Sequence, residues 1–300
     1  MNEDIGLLAD IVENPLDDTP RLIYADWLLD RGEPNDIVRA EFIRLQIDQA
    51  RQRANPQAAR RAKRLLANNA RRWSRGLKPL LRASAWRRGF VESASVHAAD
   101  FLELAHEVLS LAPIRFLHFR QPAGHFASLC RCPHLARLDG FSVQGGSLSS
   151  QDLDALGTSP FLETLQVLHL DDNHLGTVRR LRDWFRCMPA LTSLSLQNVQ
   201  LDDVTLGRLA HFLTPRLRQL HLGHNNLTDA GLSVLHGLDL SALALGGNNL
   251  SADAINRLLE SLPHLQWLQL GPQPQHLRQQ LRKDYPSLTL EFRFSTELPE

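Results

Sequence analysis

The chain has 300 residues, 43% of them hydrophobic, and a formal net charge of zero, which suits a folded protein of one large domain or two smaller ones. Its apolar runs are interrupted by polar residues well before the roughly 20 residues that span a bilayer. The first ten residues include Glu3 and Asp4 and lack the basic region of a secretory signal. We therefore expect a cytoplasmic protein without a transmembrane segment.

The first fifty residues predict three amphipathic helices. Apolar side chains recur at helical spacing within Asp4–Glu13, Thr19–Asp30 and Ile37–Ala50. The breaks fall at Asn14-Pro15 and at Gly32-Glu33-Pro34-Asn35, where Gly and Pro end helices. We expect an all-helical domain over residues 1–54.

A strongly basic segment follows these helices. Between Gln49 and Val91 the sequence has thirteen Arg or Lys residues and no Asp or Glu. Apolar residues such as Leu65 and Trp73 keep helical spacing there, so we predict a basic helical linker or cap over residues 55–88 that packs on the first repeat. An acidic protein, a membrane surface or nucleic acid stays open as its partner, because arginines neutralise phosphates and Trp73 or Trp86 could stack on bases. The basic patch comprises Arg60, Arg61, Arg64, Arg71, Arg72 and Arg75.

A leucine-rich template repeats through the second half of the chain. The pattern LxxLxLxxNxL is met at every defined position over residues 165–175, 217–227 and 240–250. Leu191–Leu201 carries Val199 in place of the asparagine, and Leu265–Leu270 begins a degenerate last unit. The leading leucines are 26, 26, 23 and 25 residues apart, within the period of leucine-rich repeats. Weaker units are expected at residues 89–96, 114–119 and 135–138, with a closing strand at 288–292.

Each repeat is predicted to be a short strand followed by a helix. The template leucines point inward, the asparagine bonds the backbone of the turn, and Asp202, Thr228 and Ser251 precede apolar stripes as helix N-caps. One unit cannot bury its own apolar face, so neighbouring units must stack. The predicted fold class is α/β, a leucine-rich-repeat solenoid over residues 89–295 shaped as a horseshoe with parallel strands inside and helices outside. Its long units resemble the ribonuclease-inhibitor class of leucine-rich repeats.

The N-terminal residues carry a second resemblance. Asp18–Leu29, then Arg31–Pro34 and Arg39–Gln46, resemble the bacterial repeat-companion domain, which sits in front of leucine-rich repeats. The resemblance covers about the first fifty residues, and Arg72-Trp73 and Trp86–Phe90 match it more loosely. It implies a bacterial protein of two parts, and it implies no assigned activity and no catalytic residue.

Residues between the inward leucines of each strand should face the concave side of the predicted horseshoe, because side chains on a strand alternate. A metal shared by His169, His221 and Asp171, or a Ser195–His–Asp set, is conceivable on paper. The two histidines are two strands apart, however, and the sequence has no nucleophile elbow or phosphate loop. We expect no catalytic residue, no metal and no cofactor. The central outward row is predicted to contain His118, Asp139, His169, Ser195, His221, Ala244 and Gln269.

The concave face is instead predicted to bind another protein. Small residues form a floor beside Trp267, which is interpreted either as an exposed anchor for a partner or as a cover for the edge of the last repeat. The predicted function is a non-catalytic protein–protein interaction module, a scaffold or a regulator. Two alternatives stay open: a nucleic-acid-binding adaptor using the basic helices at 51–88, and a regulator of a small GTPase by analogy with other helix-bearing repeats. The predicted contact residues are Trp267, His221, Gln219, His169, Ala244 and Gly246.

Overall fold

A computed structural model of the chain describes residues 3–53, 55–77, 81, 83–145, 148–174, 181–213 and 215–293. The chain divides into two compact units, Met1–Arg120 and Gln121–Glu300, called below the N-terminal and the C-terminal unit. Strands and helices alternate in an α/β arrangement of repeated strand–helix segments. Among the described residues no helix is both long enough and apolar enough to cross a membrane.

The N-terminal unit begins with four helices. The first three confirm the predicted helices, and Gly32, in the left-handed region at φ 69°, ends the second. Proline stands in the first turn of the third and fourth helices, where a missing N–H is harmless. The Asn55 side chain caps the fourth by accepting the Ala58 N–H at 2.8 Å. The helices are α1 (Glu3–Glu13), α2 (Thr19–Arg31), α3 (Pro34–Ala50) and α4 (Pro56–Trp73).

Three strands complete this unit. Strand β1 (Ala83–Arg87) is antiparallel to β2 (Phe90–His97), and β2 is parallel to β3 (Phe116–Arg120), with helix α5 (Ala98–Leu111) between the last two. The helical assignment of the whole segment 55–88 is therefore wrong at its end. A turn at Arg88 and Gly89, with φ of 48° and 87°, joins the two strands as a hairpin. Glycine is required there, because a Cβ at position 89 would lie 2.6 Å from Ile43 Cγ1.

In the described part of the C-terminal unit, seven parallel strands alternate with helices. Successive strands pair in sequence order from β4 to β10, which confirms the parallel sheet predicted from the leucine template. The strands are β4 (Gly140–Val143), β5 (Val167–His169), β6 (Ser193–Ser195), β7 (Gln219–His221), β8 (Ala242–Ala244), β9 (Trp267–Gln269) and β10 (Thr289–Glu291). The helices are α6 (Phe126–Cys130), α7 (Ser150–Leu156), α8 (Leu181–Cys187), α9 (Asp203–Ala210), α10 (Asp229–Leu232), α11 (Ala252–Ser261) and α12 (Gln275–Asp284), with 3₁₀ turns at Pro133–Arg137 and Ser233–Leu235.

Template leucines form the core of the C-terminal unit. The central leucines of five strands pair in one register and are essentially fully buried. Burial of each such side chain contributes about 2 kcal/mol relative to its exposure. These leucines are Leu168, Leu194, Leu220, Leu243 and Leu268.

The template asparagines bond turn backbones, as the sequence predicts. Nδ2 of Asn225 donates to the carbonyls of Leu196 and Leu222, and Oδ1 accepts the N–H groups of Val199 and Leu201, at 2.8–3.0 Å. Asn173 and Asn248 make equivalent bonds in their own turns. Each amide thus satisfies backbone groups of two successive repeats, which would otherwise be buried without partners.

Polar bonds also join successive helices. The predicted caps are confirmed, since the side chains of Asp202, Thr228 and Ser251 each accept an N–H of the first helical turn. Asp229 accepts from the Ser251 hydroxyl at 2.5 Å and from its N–H at 2.7 Å, and Asp203 does the same for Thr228. Thr228 and Ser251 are therefore each held by the preceding repeat. Leu175, the last template position of the unit at 165–175, lies outside the described residues.

One early repeat was predicted in the wrong place. The segment expected as a strand, Leu135–Leu138, is mostly a 3₁₀ turn, and strand β4 lies just after it. Pairing of Phe141 with Leu168 shows that this unit starts at Leu138 and places Phe141 and Val143 at the next template positions. Two large non-leucine residues at these positions obscured the unit, while Leu135 and Leu138 imitated its first half.

Candidate interaction surface of the C-terminal unit

The candidate surface is the side of the β4–β10 sheet opposite the buried leucines, called here the row face. Two rows of side chains cross it because neighbouring strands pair without a shift. The first row contains Gly140, Val167, Ser193, Gln219, Ala242, Trp267 and Thr289. The second row contains Ser142, His169, Ser195, His221, Ala244, Gln269 and Glu291.

The predicted central row is confirmed from His169 to Gln269. Its position on β4 is occupied by Ser142, so the prediction of Asp139 there is wrong. The cause is the displaced early repeat, which moved the expected strand by three residues. His118 lies on β3, in the N-terminal unit.

Trp267 is not an exposed anchor. The residue is only 5% exposed and packs on Ala242 and Ala244, which are themselves buried. The two alanines carry no side-chain bulk above β8, so the indole crosses that strand and stacks on His221, with ring centroids 5.6 Å apart and planes at 23°. The small-residue floor is therefore filled by the protein's own tryptophan, and the expectation of an open pocket beside it is wrong.

The six predicted contact residues differ in exposure. Trp267, His221, Ala244 and Gly246 are buried, whereas His169 and Gln219 are half-buried. At Gly246 a Cβ would lie 2.7 Å from the backbone nitrogen of Gly271, so the turn has no room for a side chain. The accessible part of the predicted site is consequently its β5 and β7 portion, away from Trp267.

His221 is a buried, uncharged imidazole. The residue is 3% exposed, and within the described part of the chain its Nε2 has no hydrogen-bond partner. Burial, and secondarily the neighbouring charge of His169, lowers the pKa of His221 to about 4. At neutral pH this side chain is a poor proton acceptor, and its principal contact is the stack with Trp267.

Ser195 and Asp171 form a hydrogen-bonded pair beside this histidine. The Ser195 hydroxyl donates to Oδ1 of Asp171 at 2.6 Å, and the Gln197 N–H donates to the same oxygen at 2.8 Å. Burial raises the pKa of the Asp171 carboxyl, and these hydrogen bonds oppose the rise. The serine proton is thus directed to a carboxylate rather than to a histidine, and the pair ties the turn after β5 to the turn after β6.

A row of exposed turn residues borders the row face, which the sequence analysis missed. Asp172, Asn198, His224 and Gly247 occupy the same position in four successive turns, each with φ between 52° and 81°. Asx residues and glycine tolerate this left-handed conformation best. The Asn198 amide donates to the Asp172 carboxylate at 2.8 Å, which links two of these turns. The signal was present in the sequence as a polar or glycine residue immediately before each template asparagine or its substitute.

The titratable side chains of the described residues offer neither a metal site nor a reactive thiol on this face. Across the described part of the whole chain, no three His, Cys, Asp or Glu side chains are grouped so that they could hold a metal ion. Cys130 and Cys132 are buried free thiols, and burial raises the pKa of Cys130 to about 12. A thiol with that pKa stays protonated at neutral pH and is a weak nucleophile.

The predicted basic patch of the N-terminal unit is divided between two sides of α4. Arg61 pairs with Glu41 of α3 through two bonds of 2.7 and 2.8 Å, and Arg72 donates to Asn35. Trp73 stacks on Phe42, with ring centroids 4.8 Å apart, and Trp86 packs beside both. The remaining four patch residues, Arg60, Arg64, Arg71 and Arg75, are exposed.

Comparison with known proteins adds little to this description. No family model matches the chain and no curated protein matches it. Among solved structures, the chain is similar to the actin-binding site 2 of leiomodin-1 (16% identity over 45% of this chain and 86% of that one, TM-score 0.36). It is also similar to a structural-genomics protein of Bacteroides fragilis (12% identity, 81% and 85%, TM-score 0.38) and to TLR13 in its complex with ssRNA13 (18% identity, 57% and 34%, TM-score 0.29). Likenesses this weak identify no shared function.

Proposed function

We propose that this protein is a non-catalytic interaction module that docks another protein on the row face of the C-terminal unit. The observation that carries the proposal is the register of the repeats, which aligns the side chains of β5–β7 in two straight rows on one sheet, all of them polar except Val167. Such a surface is extended, and its side chains can be substituted one at a time, as in other repeat proteins that bind partners.

The docking area that we propose is centred on β5–β7. His169 and Gln219 are half-buried, so they have both an accessible part and a fixed position. Exposed Asp172, Asn198 and His224 border them on the turn side. Polar side chains held in place before binding lose less conformational entropy on contact with a partner.

The same geometry supports a binding role rather than catalysis. Ser195 is engaged with Asp171, and His221 is stacked on Trp267 and neutral. A nucleophile needs a base within hydrogen-bonding reach and a place for the developing negative charge. The contacts of these four side chains hold neighbouring strands and turns together instead, and we propose that the protein is not an enzyme.

We further propose a class for each part of the chain. The leucine template, its asparagine bonds and its helix-bearing units favour leucine-rich repeats of the ribonuclease-inhibitor class for the C-terminal unit. Helices α1–α3 coincide with the segment that resembles the repeat-companion domain. A bacterial cytoplasmic protein fits both resemblances.

The proposal is tested by position-specific photo-crosslinking. A photo-reactive phenylalanine is placed at Gln219 on the row face or at Val204, which is 71% exposed on α9. Extracts of the source organism are irradiated with each variant, and the crosslinked proteins are identified by mass spectrometry and purified. We expect one protein to crosslink at position 219 only and to bind the unmodified chain when pure. Crosslinks at position 204 alone would contradict the proposed surface.

A second candidate, nucleic-acid binding, rests on the exposed side of α4. Arg60, Arg64 and Arg71 lie on one helical face and are exposed, and among the described residues they form no ion pair at all. Against it, Trp73 faces Phe42 of α3 on the opposite side of α4 from these arginines, and Trp86 packs with both rings, so neither can stack on a base bound at the arginines. The surface offers charge without stacking, which predicts weak and salt-sensitive binding.

A further inference from the structure

The N-terminal unit contains a cavity of about 230 Å³ that the interaction surface does not explain. Its wall is mostly apolar, and four of the lining residues are aromatic: Tyr24, Trp73, Trp86 and Phe90. Residues Asn35, Asp36, Arg39 and Arg72 add polar groups. An apolar enclosure with a few convergent polar groups is the usual form of a small-molecule site.

Arg39 is the exceptional residue of this wall. It is 9% exposed, and its guanidinium carbon lies 4.6 Å from the ring centroid of Trp73 and 4.9 Å from that of Phe90. Aromatic faces attract the cation but accept none of its N–H groups in the plane of the guanidinium. Within the described residues, Nη1 is buried without a hydrogen-bond partner, and no carboxylate is paired with Arg39.

Another buried arginine in the same unit, Arg21, has polar partners for both of its terminal nitrogens, although its Nε has none among the described residues. Arg21 is fully buried, donates to Oε1 of Glu92 at 2.9 Å and donates to the carbonyl of Asp17 at 2.8 Å. Arg21 thus has a carboxylate and a carbonyl as partners, whereas Arg39 has neither among the described residues.

The other charged residues of the cavity already have partners. Asp36 forms an ion pair with Arg31, Nε to Oδ2 at 3.0 Å, although this oxygen accepts no hydrogen bond among the described residues, and Arg72 donates to Asn35. Burial lowers the pKa of Arg39 to about 9, so the guanidinium still carries its charge at neutral pH. A buried charge without a partner is strongly unfavourable, and a carboxylate bound through two parallel N–H bonds would offset much of that cost.

We propose that this cavity binds a small monocarboxylate, with its carboxylate on Arg39 and its apolar body between the aromatic rings. The volume suits a compact molecule of about the size of benzoate, since it lies below the usual range for drug-sized ligands. A single negative charge is favoured over the two of phosphate, because Asp36 in the same wall repels further negative charge.

The proposal is tested by titrating the full-length chain with benzoate, acetate and inorganic phosphate and with the neutral amides benzamide and acetamide. Calorimetry gives the affinity, and tryptophan fluorescence reports on the cavity because Trp73 and Trp86 line it. We expect saturable binding of benzoate, with benzamide at least about tenfold weaker because an amide cannot form the charged bidentate pair. No saturable binding of either carboxylate, equal binding of benzoate and benzamide, or tighter binding of phosphate would overturn the proposal.

Two variants locate the site. Arg39→Met removes the charge and keeps the apolar stem, and we expect it to lower benzoate affinity at least about tenfold. The matched control is Arg44→Met on the same helix, where the exposed arginine pairs with Asp26 outside the cavity, and its benzoate affinity should equal that of the unaltered chain. Unchanged benzoate binding in a folded Arg39→Met would overturn the proposal. If that variant does not fold, the acid–amide comparison on the unaltered chain decides the question.

Discussion

Trp267 stacks on His221 across an intervening strand, with ring centroids 5.6 Å apart. The contact is possible because β8 presents only the methyl groups of Ala242 and Ala244 beneath the indole. The small residues beside Trp267, which in the sequence suggest an open floor for a partner, are thus covered by an internal aromatic contact. This relationship places the proposed docking area at β5–β7 and makes Ala244 a structural position.

Replacement of Ala244 by arginine should therefore destabilise the fold. The residue is 1% exposed beneath Trp267, so the new side chain must displace the indole or bury an unpaired charge, at a cost of ~3 kcal/mol. Urea denaturation should show a lower midpoint. The control is Gln219→Arg, at a half-buried position of the same face, with an expected loss below ~1 kcal/mol. Equal stability of the two variants would show that the floor is open after all.

Asn225→Ala should be among the most damaging substitutions of a polar residue in the C-terminal unit. The change removes five hydrogen bonds and leaves buried backbone groups of two repeats without partners, for a loss of about 3 kcal/mol. Its neighbour Asn226 is exposed, and Asn226→Ala should cost well under ~1 kcal/mol. Chemical denaturation of both variants measures the difference, and similar losses would contradict the role assigned to the template asparagine.

His221 should make stability depend on pH in the acid range. Its pKa is about 4 in the folded chain against 6.5 for an ordinary histidine, so the unfolded chain takes up the proton first. Folding stability is consequently lost as pH falls from about 6.5 towards 4, by up to roughly 3 kcal/mol. His221→Phe keeps a ring against Trp267 and removes this proton. The free energy of unfolding of the two proteins, measured between these pH values, should diverge; parallel curves would refute the assignment.

The nucleic-acid alternative makes a different prediction for the basic helix. Because Arg60, Arg64 and Arg71 offer charge without an available stacking ring, RNA and duplex DNA should bind only weakly at physiological salt. Fluorescence anisotropy with a labelled single-stranded RNA and a labelled duplex measures the affinity and its salt slope. Sub-micromolar binding that is lost when these three arginines are changed to glutamate would promote the alternative over the one proposed.

Much of the architecture could be predicted because the leucine template combines two independent requirements. A leucine at each inward position and an asparagine at each turn fix both the alternation of the strand and the place where it ends, as Leu220 and Asn225 illustrate. Local caps were equally predictable, since Ser251 needs only its own helix to act. The position of the early repeat was predicted wrongly because Phe141 and Val143 fill the inward positions of the template without being leucines.

The sites were less predictable because they depend on contacts between distant residues. Exposure of Trp267 is decided by what stands on the neighbouring strand, and periodicity carries no information about the reach of an indole across it. Arg39 looks like any charged residue on an amphipathic helix until Trp73, Trp86 and Phe90 are brought around it. Hairpin β1–β2 likewise depends on its turn at Arg88-Gly89. The prediction of helix for this segment relied on its basic residues and apolar spacing and did not take the turn into account.

The affinity of the purified partner for row-face variants tests the central claim most directly. In His169→Glu/Gln219→Glu, two half-buried residues of the row face become charged while the leucine core is untouched, and we expect the Kd to rise at least about 30-fold, equivalent to about 2 kcal/mol. Val204→Glu, on exposed helix α9, should leave the Kd unchanged. A partner that binds the row-face variant as tightly as the unaltered chain, and binds Val204→Glu more weakly, would contradict the account.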